Sequence, residues 1–567
     1  MRGEKRSRMN LKAWFKQNKT VLLLLTFLVL VAYFNSLGND FVSDDIGAIR
    51  DHPHLNKVSY FWKPPYFNMS LRGLIIFLTH KLFGLNPLFY RLSNILFHFD
   101  STWLIFLLTG FFFSSPIPFF TASIFAVHPL LTESITWISG GPYSNGTFFF
   151  LLAFLTYILL VTQKKFKLYL PLLFFYLTLL FSEKFIVFPL ILLLYELSLG
   201  NLKKNWPKLI PFWLIAGFWS FCLLGLLGPR ISALETTFYQ EPKIYNPLVQ
   251  IPIAVTSYLE LIFWPKNLTL YHSEMIFSQT QYLVRLGVFI LFLALIVYFF
   301  KKDRRIFFWL SFFLISLLPT LTPLGISWIV AERYVYLGSI GIFAIVAVAI
   351  QRLGTLLTKD TSGMAERTPP RWTESQTVSL LILVPILVLL SFRTIARNAD
   401  WKNQDTLWLA TAKTSPSSPQ NHNNLGDYYG RHGDFQSSIE EFQMAIKLNP
   451  RYADAYHNLA NTYQQIGEVD KAIENYKKSL EFGSHLWQSH QALAAIFFDQ
   501  EKYEQALPEI EKAILINPQN SNLYVNLAVV YLKLNDSQNA QNALNTALQL
   551  DPQNRQAKEL LYEIKKE

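Results

Sequence analysis

The stretch Thr20-Val-Leu-Leu-Leu-Leu-Thr-Phe-Leu-Val-Leu-Val-Ala-Tyr-Phe-Asn-Ser-Leu37 contains no charged residue. A helix of about 20 apolar residues crosses about 30 Å of hydrocarbon, and it satisfies its own backbone polar groups where lipid cannot. Seven basic residues precede the stretch, and no small-residue cleavage site follows it before the polar residues 39–45. We therefore interpret it as a retained first membrane span and not as a removed signal peptide.

Ten further apolar runs predict ten further spans, so that the chain has an all-α polytopic membrane domain of about eleven helices. They lie at 88–109, 115–128, 146–161, 168–181, 185–199, 209–228, 283–300, 306–322, 335–351 and 377–392. With a cytoplasmic N-terminus, the basic clusters between spans fall on the cytoplasmic side, as the positive-inside rule requires. These clusters are Lys164, Lys165 and Lys167; Lys203, Lys204 and Lys208; Lys301, Lys302, Arg304 and Arg305; and Arg352 and Lys359. All of these clusters are cytoplasmic only if 247–265 is an interfacial or re-entrant segment, because a further crossing there would place the cluster at 301–305 outside.

The composition excludes several classes of protein. Hydrophobic residues make up 51% of the 567 residues and charged residues only 16%, which is far more apolar than a soluble enzyme. There are 37 Lys and Arg against 20 Asp and Glu before Ser415, but 13 against 19 from there on. Because the positive charge lies in short clusters between apolar runs, it indicates membrane topology and not nucleic-acid binding. The single Cys222 excludes a disulfide framework and a thiolate metal site.

From Ser415 onward the sequence repeats with a period of 34 residues. Small residues recur where paired helices approach closely, aromatic residues fill the space between them, and proline ends most second helices. The recurring sets are Leu425, Leu459, Leu493 and Leu527; Gly426, Ala460, Ala494 and Ala528; Tyr429, Tyr463, Phe497 and Tyr531; Ala445, Ser479, Ala513 and Ala547; and Pro450, Ser484, Pro518 and Pro552. This pattern predicts about four tetratricopeptide (TPR) helical hairpins.

An incomplete repeat is predicted ahead of these four. Trp401 and Trp408 occupy the repeat slots of Phe435 and Phe442, so we expect 400–415 to form the second helix of a leading repeat that ties the solenoid to the last span. The two predicted domains are therefore a membrane domain, 1–398, and a TPR solenoid, 399–567.

A TPR solenoid presents a concave groove that binds an extended peptide or a partner protein, and it has no chemistry of its own. Polar side chains recur on the predicted first helices, where they could hydrogen-bond the backbone of a bound peptide. The alternative is that they are merely solvated positions. These candidate acceptor-binding residues are Asn424, Asn458, Asn461, Gln491 and Asn526.

The loop after the first span contains the adjacent carboxylates Asp44 and Asp45. Such a pair suits general-base chemistry, in which one carboxylate takes a proton from a hydroxyl nucleophile and the other orients it. The alternative is a helix N-cap or a turn, with Asp44 capping a helix over 45–51.

Further polar residues lie on the same predicted side of the membrane as this loop. Because the number of predicted spans is odd, the solenoid lies on that side as well. Ionisable groups near membrane depth are costly, so their convergence suggests a site. A cation such as Arg72 or Arg333 could bind a lipid phosphate through paired hydrogen bonds. The alternative is a set of structural ion pairs between helices. The other members of the group are Asn94, His98, His128, Glu133, Glu183, Lys184 and Glu332.

Five motifs in order, followed by the repeats, resemble the transmembrane and TPR-containing O-mannosyltransferases, which have the GT-C glycosyltransferase fold. The motifs are residues 39–45 (Asn-Asp-Phe-Val-Ser-Asp-Asp) followed by Asp51-His52-Pro53; 70–74 (Ser-Leu-Arg-Gly-Leu); 90–98 (Tyr-Arg-Leu-Ser-Asn-Ile-Leu-Phe-His); 127–133 (Val-His-Pro-Leu-Leu-Thr-Glu); and 331–337 (Ala-Glu-Arg-Tyr-Val-Tyr-Leu).

This chain also departs from the family's pattern. Gly73 replaces a proline and Arg91 replaces a histidine. Residues 140–144 read Gly-Gly-Pro-Tyr-Ser where the family has Gly-Arg-x-Asp, and a Lys-Glu pair after the fifth span appears as Glu183-Lys184. The 140–144 difference leaves the contacts to acceptor or donor open.

The resemblance implies transfer of one sugar, expected to be mannose, from a polyprenyl phosphate to a Ser or Thr hydroxyl of a protein, with inversion at the anomeric carbon. Asp44 or Asp45 would be the general base, and Arg333 with Arg72 would neutralise the departing phosphate. The supporting residues would be Glu332, Tyr334, His128, Glu133, Asn94 and His98. We predict no metal site, although the sequence leaves a need for a divalent metal open.

Other functions remain compatible with the residues. The acceptor could be a lipid or a cell-surface glycan, or the chain could be a non-catalytic membrane anchor whose solenoid scaffolds other proteins. A transporter fits less well, because most charged groups lie in one-sided loops and few at mid-membrane. The expected location is a bacterial inner membrane, or the endoplasmic reticulum of a eukaryote, with the N-terminus cytoplasmic and the solenoid extracytoplasmic.

The predicted topology can be tested by cysteine labelling. In a Cys222→Ser background, Gly47→Cys in the first loop and Arg431→Cys in the solenoid should react with a membrane-impermeant maleimide from one side of sealed vesicles. Lys16→Cys should react only from the other side, because an odd number of spans separates it from the solenoid. Labelling of Arg431→Cys from the same side as Lys16→Cys would contradict the topology.

Overall fold

The computed structural model describes residues 11–52, 54–62, 70–160, 168–225, 246–321, 329–358, 373–483 and 485–564. Within these ranges the chain is built of α-helices and short 3₁₀ or π turns, without a strand, which confirms the predicted all-α class. Contacts divide the described chain into two compact units that meet in sequence at Thr414 and Ser415.

The first unit consists of apolar helices and a few short connecting ones. They are α1 (Leu11–Tyr33), α2 (Ser70–Phe83), α3 (Pro87–Thr109), α4 (Ile117–Val127), α5 (Thr132–Ile135), α6 (Gly141–Leu160), α7 (Tyr169–Leu179), α8 (Phe188–Ser198), α9 (Leu202–Leu224), α10 (Pro247–Phe263), α11 (Gln279–Lys302), α12 (Arg304–Leu317), α13 (Ser339–Thr358), α14 (Glu374–Asp400) and α15 (Gln404–Thr414). The core forms where α4 packs against α1, α3, α13 and α14.

Seven described helices are long and apolar enough to cross a membrane: α1, α3, α6, α9, α11, α13 and α14. The chain is therefore a multi-pass membrane protein. Four other predicted spans coincide with α4, α7, α8 and α12, which have 11 to 14 residues. At 1.5 Å per residue these four are shorter than about 30 Å of hydrocarbon. The number of eleven crossings, and the sidedness that depends on it, stay predictions.

The segment 247–265 forms the 17-residue helix α10, with Pro252 inside it. Its middle is buried against the rest of the unit, as the side chains of Ala254, Val255 and Tyr258 show. Several residues used in the sequence predictions lie outside the described residues. They are the N-terminal residues 1–10, Pro53, Lys164, Lys165, Lys167, Lys359 and Ser484.

The last predicted membrane helix continues without a break to Asp400, and α15 follows at Gln404. Both tryptophans of this segment pack within the first unit. The Trp401 ring stacks on Trp137, with centroids 5.7 Å apart, and Trp408 lies parallel to Tyr271. The helix predicted over 400–415 is thus present as α15, but it belongs to the membrane-helix unit and not to the compact solenoid.

The second unit is a row of helical hairpins, as the 34-residue period predicts. The hairpins are α16 (Pro419–Arg431) with α17 (Phe435–Leu448), α18 (Ala453–Gln465) with α19 (Val469–Phe482), α20 (Trp487–Asp499) with α21 (Tyr503–Ile516), and α22 (Ser521–Lys533) with α23 (Ser537–Leu550). A final helix, α24 (Arg555–Ile564), packs on α23. Gly426 contacts the Phe442 ring where a Cβ has no room, which explains why this repeat has glycine at the small-residue position.

One position in each hairpin turn adopts the left-handed backbone conformation. Gly433 and Gly467 have φ values of 78° and 82°, and Glu501 and Asn535 have 59° and 60°. Glycine adopts this region without steric cost, asparagine tolerates it, and other residues are strained there. The turn geometry therefore repeats with the same period as the core residues.

Substitutions at Gly467 should measure that strain. Gly467→Val should destabilise its hairpin by about 1–3 kcal/mol, because a β-branched residue is disfavoured at positive φ. Gly467→Asn should cost less, since Asn535 occupies the same slot. Hydrogen exchange of α18 and α19 in the detergent-solubilised full chain would measure both. Equal protection in the two variants would contradict this account of the turn.

Candidate functional site

Arg91 fixes the loop that follows the first membrane span. Its side chain is fully buried. Nη1 donates to the Asn39 carbonyl (2.7 Å), Nη2 to the Asp40 carbonyl (2.9 Å) and Nε to the Thr136 carbonyl (2.7 Å). These bonds join the loop to the connection between α5 and α6. The arginine that stands where the resembling family has histidine is a structural clamp, a role that sequence reasoning did not assign.

Asp45 is a buried part of the turn in this loop. Its Oδ1 accepts a hydrogen bond from the Ser139 N–H (2.7 Å), and its Oδ2 accepts one from the Val42 N–H (3.3 Å). Ser43 lies in the left-handed region, with a φ of 52°. Burial raises the pKa of the Asp45 carboxyl to about 6. Asp45 therefore has a turn-forming role of the kind that the sequence allowed as an alternative.

Asp44, the neighbouring carboxylate, is exposed. Arg72, near the start of α2, interacts electrostatically with Asp44, Asp45 and Tyr143. Burial lowers the pKa of the Arg72 guanidinium, although an arginine remains protonated at neutral pH. Its Nη2 is buried without a hydrogen-bond partner among the described residues. An accessible carboxylate thus lies near a cation that has a donor group available for a ligand.

Arg333, the second predicted phosphate ligand, is ion-paired with Glu133. Its Nη1 contacts Oε1 of Glu133, and its backbone N–H donates to Oε2 at 2.7 Å. Glu133 is fully buried and the Arg333 side chain is 14% exposed. The pair ties the 3₁₀ turn Glu332–Val335 to the connection that carries Glu133. The charge of Arg333 is therefore largely compensated inside the protein.

The adjacent Glu332 anchors the same turn in a different direction. Its Oε1 accepts from the Thr269 N–H (2.5 Å) and lies 3.3 Å from Nη2 of Arg397 in α14. Arg397 also contacts Asp400 at 3.1 Å. A buried, unpaired carboxylate would be costly, so this network needs all its members. The sequence analysis did not select Arg397, although an arginine near the end of an apolar span could have indicated a buried ion pair.

Tyr334 forms one wall of an aromatic cradle around Lys184. The Lys184 ammonium lies 3.2 Å from the centroid of the Tyr334 ring and donates a hydrogen bond to the Tyr143 hydroxyl at 2.8 Å. The two tyrosine rings are 6.0 Å apart. Lys184 is in the Glu183-Lys184 pair, and Tyr143 is in the segment that departs from the family's pattern.

Asn94 supports the connection that carries the site. Its Nδ2 lies 3.3 to 3.4 Å from the carbonyls of Ile135, Trp137 and Ile138. At Gly141 a Cβ would collide with the Asn94 amide. The asparagine therefore holds the backbone of the connection in place.

The two predicted histidines are likewise bonded within the protein. His98 Nδ1 lies 2.7 Å from the Tyr336 hydroxyl. His128 Nε2 lies 2.9 Å from the Ile262 carbonyl, and its Nδ1 accepts from the Leu130 N–H at 3.2 Å. Both histidines position helices and turns.

Two of the five polar residues predicted to line the TPR groove, Asn458 and Asn461, form hydrogen bonds within the solenoid. Asn458 donates to Asn423 at 3.0 Å. Asn461 accepts from the Tyr476 hydroxyl at 2.5 Å and lies 3.2 Å from His457 Nε2. The remaining three groove residues lie on the first helices of their hairpins: Asn424, Gln491 and Asn526.

Among the described residues, no three His, Cys, Asp or Glu side chains converge as metal ligands do.

Tetratricopeptide repeat family models match residues 426–467, 453–483 and 497–564. Solved structures similar to this chain include MamA, with 20% identity and a TM-score of 0.24, covering 26% of this chain and 86% of that one. YrrB, described as a TPR protein with an unusual peptide-binding site, has 12% identity and a TM-score of 0.24, covering 37% and 98%.

Curated relatives extend the similarity into the membrane part. A protein O-mannosyl-transferase of Caenorhabditis elegans is 25% identical over 76% of this chain and 62% of its own length. The protein O-mannosyl-transferase TMTC3 of Homo sapiens is 23% identical over 76% and 51%. This chain thus spans roughly half to two thirds of the length of these relatives. The resemblance seen in the motifs is confirmed: over three quarters of its length the chain is homologous to proteins named protein O-mannosyl-transferase, and it carries TPR repeats.

Proposed function

We propose that this chain is a membrane glycosyltransferase that moves mannose from a polyprenyl-phosphate donor to Ser or Thr hydroxyls of a protein, with inversion at the anomeric carbon. The observation that carries the proposal is the grouping of exposed Asp44, buried Asp45 and Arg72 in a chain similar to protein O-mannosyl-transferases. The elements of a displacement reaction, a base and a cation for the leaving group, lie together there.

We assign the base to Asp44. A general base must reach the proton of the acceptor hydroxyl, and Asp44 is exposed, whereas both oxygens of Asp45 already accept backbone hydrogen bonds. In this assignment Asp45 positions the turn that presents Asp44. The prediction that Arg333 binds the donor phosphate is retained in weaker form, because its pairing with Glu133 leaves Arg72 as the principal ligand.

The proposed reaction is a single displacement. The acceptor oxygen forms a bond to the anomeric carbon while the bond from that carbon to the phosphate oxygen breaks, and the electron pair of the broken bond stays on the phosphate. The hydroxyl proton goes to Asp44. Because the phosphate gains negative charge in the transition state, a positioned guanidinium such as Arg72 stabilises it.

In this proposal the solenoid binds the polypeptide acceptor. TPR grooves bind extended peptides and protein partners, and half-buried Gln491 and Asn526 on its first helices are the groove residues proposed to contact the peptide backbone. We place the N-terminus in the cytoplasm and both the acidic loop and the solenoid across the membrane, in a bacterial envelope or in the endoplasmic reticulum.

Two other functions would give different results in the assays below. A GT-C enzyme for lipid or surface glycans would need Asp44 and Arg72 but would not transfer sugar to peptides. A non-catalytic membrane-anchored scaffold would tolerate loss of Asp44 altogether. Asp44 lies near Arg72, whose buried Nη2 has no hydrogen-bond partner within the described ranges, and this grouping favours an enzyme over a scaffold.

Asparagine variants separate the two aspartates. Asp44→Asn should lower kcat by about 10² to 10⁴, because it removes the base without changing the shape of the side chain. In Asp45→Asn the single amide oxygen can accept only one of the two backbone hydrogen bonds. This variant should therefore destabilise the folded chain by about 1–3 kcal/mol and lower kcat by less than Asp44→Asn does. Transfer from polyprenyl-phosphate mannose to a Ser/Thr peptide and thermal unfolding in detergent would measure both effects.

The matched control is Asp51→Asn, which removes another carboxylate of the same loop, one that forms an ion pair with exposed Arg50. Its transfer rate should remain near that of the wild type. Full activity of Asp44→Asn, or a loss in Asp45→Asn as large as in Asp44→Asn without lower thermal stability, would contradict the assignment.

Removal of the solenoid should change the choice of acceptor. A chain ending at Thr414, the boundary of the first compact unit, should lose more transfer to a folded or long unstructured protein than to a short peptide, because only the former can use the groove. The ratio of kcat/KM for the two acceptors would measure the effect. Equal losses for both would speak against acceptor binding by the TPR unit.

A further inference from the structure

A small cavity lies between α2, α3 and the start of α6. It has a volume of about 20 Å³, and each of the three helices contributes polar side chains to its wall: Arg72 and Thr79 from α2, Ser93 and Asn94 from α3, and Asn145 from α6. Arg72 and Thr79 are seven residues apart, so they lie on the same face of their helix. A cavity of this size holds one water-sized group.

Two of the side chains that line the cavity have hydrogen-bond donors that the protein leaves unused. Nη2 of Arg72 is buried without a partner among the described residues. Asn145 is only 3% exposed; its Oδ1 accepts from the Ser144 hydroxyl at 3.1 Å, but its Nδ2 donates to no described residue. A buried donor without an acceptor is costly. One ligand oxygen in the cavity would satisfy both donors.

The cavity adjoins the turn that carries the proposed base. Ile138 forms part of its wall, and the N–H of the next residue, Ser139, donates to Asp45 at 2.7 Å. Asp45 directly follows Asp44 in the chain, and Arg72 interacts electrostatically with both carboxylates. A ligand group in this cavity would therefore belong to a substrate that also meets Asp44 and Arg72.

The size and the lining of the cavity indicate which oxygen fits. A phosphate carries several oxygens around one phosphorus and needs more room than one water-sized group, whereas a hydroxyl enters as a single oxygen. A hydroxyl also accepts and donates at once, and here Arg72 and Asn145 can donate to it while the Ser93 hydroxyl can accept from it. The apolar wall residues Ile75 and Ile76 suit a neutral group better than an anion.

We propose that Asn145 is a specificity-determining residue of this site, and that together with Nη2 of Arg72 it binds the hydroxyl on C2 of the transferred sugar. This inference rests on the proposed function. C2 is bonded to the anomeric carbon, so its hydroxyl is the sugar hydroxyl nearest to the phosphate. A guanidinium has five donors in a fixed fork, which lets Arg72 hold the phosphate with its other nitrogens.

This hydroxyl is an informative one for an enzyme to recognise. Mannose and glucose differ only in the configuration at C2, so a pair of donors fixed at that position distinguishes the two sugars. In glycosidases, hydrogen bonds to the same hydroxyl strengthen in the transition state. A site built to hydrogen-bond a substrate hydroxyl also rejects the analogue that lacks it, because buried polar groups are then left unpaired.

The test compares two donors in the purified full-length chain. Polyprenyl-phosphate mannose and its 2-deoxy analogue would each be supplied with the same Ser/Thr peptide, and the ratio of their kcat/KM values would be measured. Asn145→Leu keeps the size of the side chain and removes its donor, so it should lower the wild-type ratio by about tenfold or more. Because both enzymes meet the same two donors, the intrinsic difference in donor reactivity cancels.

Further variants separate recognition of the sugar from other effects. Ser93→Ala removes the acceptor from the cavity wall and should lower the same ratio by less than Asn145→Leu does. The matched control is Asn205→Leu, which removes another buried amide of the membrane-helix unit, one that donates to Glu196 at 2.9 Å. It should leave the ratio unchanged. Product inhibition by free polyprenyl phosphate, which carries no sugar, should stay within about twofold of wild type in Asn145→Leu.

The outcomes distinguish the two proposals. If the wild-type chain transfers mannose but Asn145→Leu keeps the donor ratio within about twofold of wild type, the role of Asn145 is wrong and the proposed function stands. If the ratio is kept while product inhibition weakens, the cavity binds a phosphate oxygen and the inference is likewise wrong. If Asn145→Leu loses both donors equally, together with thermal stability, the residue is structural and the inference is overturned. If the wild type transfers no sugar from any polyprenyl phosphate, both proposals fall.

Discussion

The site depends on the pairing of buried arginines within the membrane-helix unit. Removing a guanidinium from water without partners is prohibitively costly. Arg91 is matched by three carbonyls, Arg333 by Glu133, and Arg397 by Glu332 and Asp400. Apart from the contact between Arg397 and Asp400, which lie three residues apart in one helix, each pairing joins segments that are far apart in sequence. Together they fix the loop after the first span, the connection around Glu133, the turn at Glu332–Val335 and the end of the long helix α14.

This pairing separates the charged groups into two kinds. Arg91, Arg333 and Arg397 hold backbone segments in place, and Asp45 does the same through its two backbone hydrogen bonds. Asp44 and Arg72, the residues proposed to meet the substrate, lie on the framework that the first group builds. Such a division suits catalysis by electrostatic preorganisation, because the groups that meet the substrate need not reorganise when charge develops.

Much of the fold could be predicted from the sequence because it follows from periodicity. The 34-residue register located each hairpin, and apolar runs located the seven long helices.

The site was predictable only as a set of residues. Sequence could not distinguish Asp44 from Asp45, since burial depends on the contact of Asp45 with Ser139, 94 residues away. The partners of Arg397 and Lys184 likewise come from distant segments. Asp400 to Thr414 was assigned to the solenoid because it shares the repeat's aromatic slots, but Trp401 and Trp408 pack on the membrane-helix unit.

The most direct measurement of the central claim is donor consumption by the purified wild-type chain. The protein would be incubated with a series of polyprenyl-phosphate sugars, with and without a Ser/Thr peptide, and the release of free polyprenyl phosphate would be followed. The account predicts release from the mannose donor that depends on the peptide and that matches the sugar found on it. Absence of donor consumption across the series, with a folded protein and intact bilayers, would contradict the account.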